Sequence, residues 1–170
     1  AEAVKAILAV LCLLPALLPA EKWTAYRSAP FTVFANSDER AAQETLVTLV
    51  QLRHALSEKF GKELNPVWPL AVVQRKNNAE VGEVRLMGNQ YLLTTPAGPI
   101  PPAVMETLTL LLLRESTPTM DPSIEQGIGR VFSTLEVNGP RVTLGAAPKD
   151  KDLPWARMHL LLTDPRYSGT

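Results

Sequence analysis

Residues 102–115 read PAVMETLTLLLLRE, and this stretch decides where the core of the fold lies. Pro102 suits the first turn of a helix, where its missing N–H removes no hydrogen bond. The residues behind it predict a helix from Val104 to about Glu115. This helix is apolar on nearly every face, through Val104, Met105, Leu108, Leu110, Leu111, Leu112 and Leu113. A helix that is apolar all round is buried, and about twelve residues cannot span a membrane. We therefore expect it at the centre of the protein.

The segment after this helix predicts a second helix packed against it. Pro122 precedes a helix expected from Ser123 to about Leu135. Gly127 and Gly129 lie inside it, where glycine costs helix stability, so we expect a close approach of another helix there. Residues 137–144 predict a turn and a strand, and residues 153–162 a last helix opened by a proline.

The residues before the central helix predict a small sheet and one long helix. Strands are expected at residues 31–35 and 70–73, and a strand pair at 85–87 and 90–94, hinged at a Gly-Asn turn. Asn36 and Glu39 resemble a capping box, followed by a helix with an apolar stripe that Gly61 ends. The fold class predicted is α+β: a small mixed β-sheet packed on a long helix, followed by a buried helix pair.

The N-terminus predicts an apolar helix that directs the protein out of the cytoplasm. Lys5 precedes an uncharged run from Ala6 to Ala20, which Glu21 ends. As a helix this run spans about 22 Å, short of a bilayer core of about 30 Å, and its layout is that of a secretory signal. We divide the chain into residues 1–22, a cleaved signal peptide or an uncleaved membrane anchor, and residues 23–170, an α+β domain. A buried core helix is the third interpretation of the run. The anchor residues are Ala6, Ile7, Leu8, Val10, Leu11, Leu13, Leu14, Leu17 and Leu18.

The charge balance and the cysteine content exclude two common classes of protein: those that bind nucleic acid and those with an internal disulfide. The chain has 17 basic and 17 acidic residues and a net charge of zero, so it lacks the basic excess that nucleic-acid binding requires. Its single cysteine, Cys12, excludes an internal disulfide. We expect no nucleic-acid partner.

Residues 124–136, IEQGIGRVFSTLE, carry a resemblance to a known family. They are similar to a helix pattern of the gluzincin-type "peptidase MA-like" metallopeptidase domains of bacteria, which are often fused to tetratricopeptide repeats. Residues 23–35, the entry NSDER into the long helix and the strand at 70–73 resemble the N-terminal lobe of that family. The resemblance covers about residues 23–147. Because the family continues into further helices, it implies that the domain at 23–170 is incomplete at its C-terminus.

The resemblance also implies that the metal site has degenerated. Such enzymes hold zinc with two histidines four residues apart on one helix and a glutamate from the next, and a glutamate beside the first histidine activates water. Met105 and Thr109 stand at the histidine positions, and Gln126 at the third position. Glu106 matches the general base and is vestigial. A thioether, a hydroxyl and an amide do not form a catalytic zinc site.

Other interpretations of these residues remain open. Met105 suits a core, and Glu106 is expected to pair with Arg114, Arg130 or a backbone group. His54 and His159 lie on different predicted helices without ligand spacing and are expected at the surface or at helix caps. No catalytic residue, metal or small-molecule cofactor is expected.

We therefore expect a non-catalytic pseudo-metallopeptidase domain at the cell envelope, membrane-anchored or periplasmic. It would act as an interaction domain or accessory subunit of a membrane protein complex, bound through the apolar helix, with electron-transfer and photosynthetic complexes as candidates. Two alternatives stay open. One is a residual zinc-dependent hydrolase completed by residues beyond the chain. The other is a free periplasmic binding module with a cleaved signal peptide.

Overall fold

The computed structural model describes residues 22–36, 38–76, 82–139, 141–144, 146–147, 152–164 and 166. The strands of this part are β1 (Thr24–Ser28), β2 (Phe31–Ala35), β3 (Leu70–Arg75), β4 (Arg85–Met87), β5 (Gln90–Pro96), β6 (Glu136–Asn138) and β7 (Arg141–Thr143). Its helices are α1 (Glu39–Phe60), α2 (Pro102–Ser116), α3 (Pro122–Phe132) and α4 (Leu153–Thr163). The predicted α+β class is confirmed, with a mixed five-stranded sheet. The predicted N-terminal helix, with all its anchor residues, lies outside the described residues.

The sheet is parallel at its centre and antiparallel at both edges. Its order is β1-β2-β3-β5-β4; β2–β3 and β3–β5 are parallel, whereas β1–β2 and β4–β5 are antiparallel. Side chains alternate along β2, with Phe31, Val33 and Ala35 buried, as expected where one face of a sheet is covered. The sequence did not predict β1, because this edge strand has no apolar alternation and is mostly exposed.

Helix α1 covers the sheet, but the predicted start of the helix was wrong in detail. Asp38 is the N-cap, and its carboxylate accepts a hydrogen bond from the Arg40 N–H at 3.2 Å. Asn36 instead accepts from the Lys76 N–H at 3.0 Å, which joins the ends of two strands. The predicted end is confirmed, because Gly61 has φ 62°, a left-handed conformation that glycine adopts without strain.

Helix α2 is buried, although less uniformly than its composition predicted. Val104, Met105, Leu108, Thr109, Leu112 and Leu113 are buried. Leu110 and Leu111 are half-buried, because the core covers only part of the circumference. Within the described chain, no helix is both long enough and apolar enough to cross a membrane.

Helices α3 and α4 complete the core, and glycines allow them to approach. A Cβ at Gly127 would lie 2.4 Å from Met158 Cγ and 2.6 Å from the Pro154 carbonyl oxygen of α4. A Cβ at Gly129 would lie 3.1 Å from Glu106 Cγ of α2. The predicted close approach is confirmed. The predicted end of α3 at Leu135 was wrong: α3 ends at Phe132, and the β6–β7 hairpin follows.

Candidate functional site

The three positions at which the family resemblance would place zinc ligands lie in different environments. Met105 is 2% exposed and Thr109 is fully buried, and both belong to the core. The Thr109 hydroxyl donates to the Met105 carbonyl at 2.8 Å, so its hydrogen bond stays within α2. Gln126 is exposed on α3, which contacts α2 through other residues, including Glu125 and Gly129. The structure therefore does not bring residues 105, 109 and 126 to one point on the surface.

Glu106 is half-buried beside Gly129, and its expected pairing was wrong. Arg114 donates to both carboxylate oxygens of Glu125, at 2.7 and 3.0 Å. Arg130 pairs with Asp152 at the start of α4. Within the residues that the structure describes, Glu106 makes no hydrogen bond or ion pair. Both arginines are therefore engaged in joining helices.

The two histidines do not form a metal site in the described structure. His54 is exposed and lies 3.9 Å from the Glu58 carboxylate on its own helix. The His159 ring stacks on Trp155, with the ring centroids 4.6 Å apart. The surface position expected for His54 is confirmed, whereas His159 is half-buried by this stacking. No group of three metal-ligating side chains occurs among the described residues.

A groove of about 740 Å³ opens between α1 and β6, and we call it the α1–β6 groove. One wall is the N-terminal half of α1, and the other is formed by residues 135–139. Residues 98–100 also line the groove. Met105 also lines this groove. The segment 98–100 follows the carboxyl end of β5, and ligands of open sheets often bind beyond the carboxyl ends of parallel strands.

A buried polar chain lies behind the α1–β6 groove. The Gln74 side chain is fully buried and donates from Nε2 to the Thr45 hydroxyl at 2.7 Å. Thr45, which lines the groove, donates to the Gly98 carbonyl over a long 3.5 Å. The other amide atom, Gln74 Oε1, is buried and has no hydrogen-bond partner among the described residues. Because an unsatisfied buried polar atom costs about 1–3 kcal/mol, this cluster is a weak point that a functional role would explain.

The mouth of the groove carries charge of both signs. Arg40 and Glu44 form an exposed ion pair at 2.8 Å on α1. The hydrogen bond to Glu44 and the charge of that carboxylate raise the pKa of Arg40. Glu136, on β6 opposite, has no ion pair in the described part of the chain. The groove therefore presents one uncompensated negative charge.

Sequence reasoning did not single out the groove. Its residues come from four separated segments, and the spacing of Thr45, Gln74 and Glu136 carries no pattern. The one available signal was a glutamine inside an apolar strand, LAVVQR, because a buried amide requires a partner. No protein-family model matches the chain, and comparison with curated proteins found no relative.

Proposed function

We propose that this chain is a non-catalytic domain with a degenerate gluzincin-type scaffold, which acts as an interaction domain or accessory subunit of a membrane protein complex. The observation that carries the proposal is the environment of the three positions that the resemblance would assign to zinc ligands. Met105 and Thr109 are core residues and Gln126 is on the surface. A catalytic zinc site needs converging imidazole or carboxylate ligands and an open coordination position. Neither the residue types nor their environments meet this requirement.

The described surface offers apolar side chains that suit an interaction domain. Leu153 is 75% exposed, and Ile124 and Leu161, which line the same depression between α3 and α4, are also exposed. Clustered exposed apolar side chains are typical of protein or membrane contacts. These side chains support an interaction role and need no catalytic group.

The N-terminal sequence supports a location at the cell envelope. Lys5 followed by the apolar run from Ala6 to Ala20 has the layout of an export signal. If the run is retained, it anchors the domain beside its partners. If it is removed, the domain is a free periplasmic module. Intact-mass analysis of the protein from cell envelopes distinguishes the two: a mature start at Glu21 contradicts the anchored form.

A zinc measurement tests the non-catalytic assignment. We expect the purified full chain, dialysed against zinc and then against buffer, to retain far less than stoichiometric metal and to leave a fluorescent casein substrate intact. Glu106→Gln is the matched control, because it removes the vestigial general base with little change in shape. Its metal content and activity should equal those of the unchanged chain.

The residual hydrolase is the second candidate, because Glu106 has no hydrogen-bond or ion-pair partner among the described residues. A carboxylate without a structural partner remains free to transfer a proton. Stoichiometric zinc, with casein cleavage that Glu106→Gln abolishes, would establish this alternative and exclude the first.

A further inference from the structure

We propose that the α1–β6 groove binds an extended peptide segment of a partner protein, which adds to β6 as a third strand. The inference rests on the proposed function, because it names the partner chemistry of an interaction domain. It follows from three features: an open strand edge, a cavity of suitable size beside that edge, and the charge at the mouth.

The open edge follows from the register of the hairpin. Asn138 pairs with Arg141, Val137 with Val142 and Glu136 with Thr143. A two-residue connection makes Asn138 and Arg141 a hydrogen-bonded pair. Because bonding alternates along antiparallel strands, the N–H and C=O of Val137 and Val142 point away from each other, toward the outer edges. Outside the hairpin, the described chain offers the Val137 backbone no hydrogen-bond partner.

The α1–β6 groove lies along the β6 side of this hairpin. Residues 135–139 line it, whereas residues 141–143 of β7 do not. The opposite wall is α1, where Gln43, Thr45 and Thr48 line the cavity. A volume of about 740 Å³ falls within the range of roughly 300–1,000 Å³ that ligand sites occupy. An added strand would give its backbone hydrogen bonds to Val137 on one side and lie against α1 on the other.

The alternation of the hairpin fixes which side chains the peptide needs. Val137 packs against the core, whereas Glu136 and Asn138 are exposed. A peptide residue beside Val137 would therefore point toward the floor, near Met105, Ile100 and Leu135, and should be apolar. Its neighbour beside Glu136 would point to solvent. Because Glu136 is not neutralised in the described chain, a lysine or arginine there forms a favourable cross-strand pair. The occupant is an extended segment in which basic and apolar residues alternate.

Fluorescence anisotropy with a defined probe tests the proposal. The probe is a fluorescein-labelled synthetic peptide, Gly-Thr-Lys-Val-Lys-Val-Thr-Gly, added to the full chain in detergent. Val137→Pro removes the outward N–H and should weaken binding by at least about tenfold. Val142→Pro is the matched control, since it removes the equivalent N–H on the edge that faces away, and should leave the affinity unchanged.

Two further measurements test the proposal without a proline substitution, in case a proline variant loses the hairpin. Glu136→Lys leaves the backbone intact and should weaken the lysine probe while strengthening a probe with glutamate in place of lysine. A probe N-methylated at its valines should bind at least about tenfold more weakly, because it cannot pair as a strand. No binding, equal loss in both proline variants, or full binding of the methylated probe each overturns the proposal. These outcomes leave the zinc result untouched, so this inference can fail while the non-catalytic assignment stands.

Discussion

At the scale of single residues, side chains on α2 and α3 make contacts within the fold at or beside the positions where the family resemblance would place metal ligands. Thr109 donates to the carbonyl four residues earlier, and Arg114 neutralises Glu125. Met105 fills the core at 2% exposure. Met105 and Thr109 therefore serve the packing of α2. Two glycines allow the helices to approach one another closely, and substitutions at these glycines test that approach.

Replacing Gly127 by alanine should destabilise the protein, whereas Gly129→Ala should be nearly neutral. The Gly127 Cβ would overlap the Pro154 carbonyl oxygen at 2.6 Å, and backbone cannot move aside easily. Overpacking of this kind costs about 1–3 kcal/mol. At Gly129 the nearest atoms are side-chain carbons at 3.1 Å, and the better helix propensity of alanine, worth about 1 kcal/mol, offsets the adjustment. Urea denaturation of both variants gives the comparison; equal losses would contradict the close approach of α4 at Gly127.

Tyr91 should make stability fall at high pH. Its hydroxyl donates to Glu115, and this hydrogen bond, with smaller effects of burial and of the Glu115 charge, raises the pKa of Tyr91 to about 12 from 10.0. The raised pKa stabilises the fold fully below pH 10.0, and this contribution is lost as the pH rises toward about 12. Tyr91→Phe should cost about 1–2 kcal/mol at neutral pH.

Urea titrations at neutral pH and near pH 11.5 check this, with both proteins measured side by side. The difference between the unchanged chain and Tyr91→Phe should shrink at the higher pH. A difference that stays constant would show that the hydrogen bond does not control the titration of Tyr91.

At the scale of elements, α4 packs mainly against α3, and one aspartate begins it. Asp152 accepts a hydrogen bond from the Trp155 N–H at 3.0 Å and pairs with Arg130 of α3. Burial pushes the pKa of Asp152 up, but the Trp155 N–H and Arg130 together outweigh it, so the pKa is lowered. The cap and the interhelical contact thus depend on the same charged carboxylate.

Asp152→Ala should therefore destabilise α4 more than Asp152→Asn. Alanine removes both the cap and the ion pair, at a cost of about 1–3 kcal/mol, whereas asparagine retains a capping oxygen. The pKa of Asp152 is lowered in the folded state. The stability difference between Asp152→Ala and the unchanged chain should therefore have its full size above the ordinary pKa of 3.8 and disappear as the pH falls below it. Asp164→Ala, which breaks a local pair with exposed Arg166, should cost less than about 1 kcal/mol in the same urea titrations. Equal costs for Asp152→Ala and Asp164→Ala would contradict a special role for Asp152.

At the scale of the whole molecule, one continuous core joins the sheet to every described helix. The buried cluster extends from Phe31 of β2 through Leu52 and Leu113 to Met158 of α4. A single core in a domain of this size favours one cooperative transition. The β6–β7 hairpin also joins this core, through Val137 and Val142.

The described domain should unfold as one unit. Tryptophan fluorescence and far-UV circular dichroism should give coincident urea transitions, since Trp23 and Trp155 lie near opposite ends of the described chain. Leu113→Ala, at a fully buried position, should shift both transitions by about 2–5 kcal/mol. Leu161→Ala, on the surface, should shift neither measurably. Separate transitions would show that α3 and α4 form an independent unit.

Local sequence patterns predicted the elements marked by an apolar run or by a glycine, and missed elements that have no such mark. The apolar run at 104–113, the turn at Gly88 and the stop at Gly61 all correspond to observed features. Strand β1 was missed because its pairing partner β2, and not its own composition, holds it in the sheet. Asn36 was wrongly predicted to cap α1. The sequence near a helix start is the same whether an asparagine side chain bonds to the helix or, as here, to a neighbouring strand.

The α+β class and the central helix could be predicted from the sequence, and the residue types at positions 105, 109 and 126 are read directly from it, because periodicity and side-chain chemistry are local properties of the chain. The folded structure was needed to show where those three side chains lie and that Arg114 and Arg130 pair with Glu125 and Asp152 rather than with Glu106. It was also needed to show that Thr45, Met105 and Glu136 line one groove. Each of these features depends on contacts between segments distant in sequence, which side-chain packing fixes and local patterns do not encode.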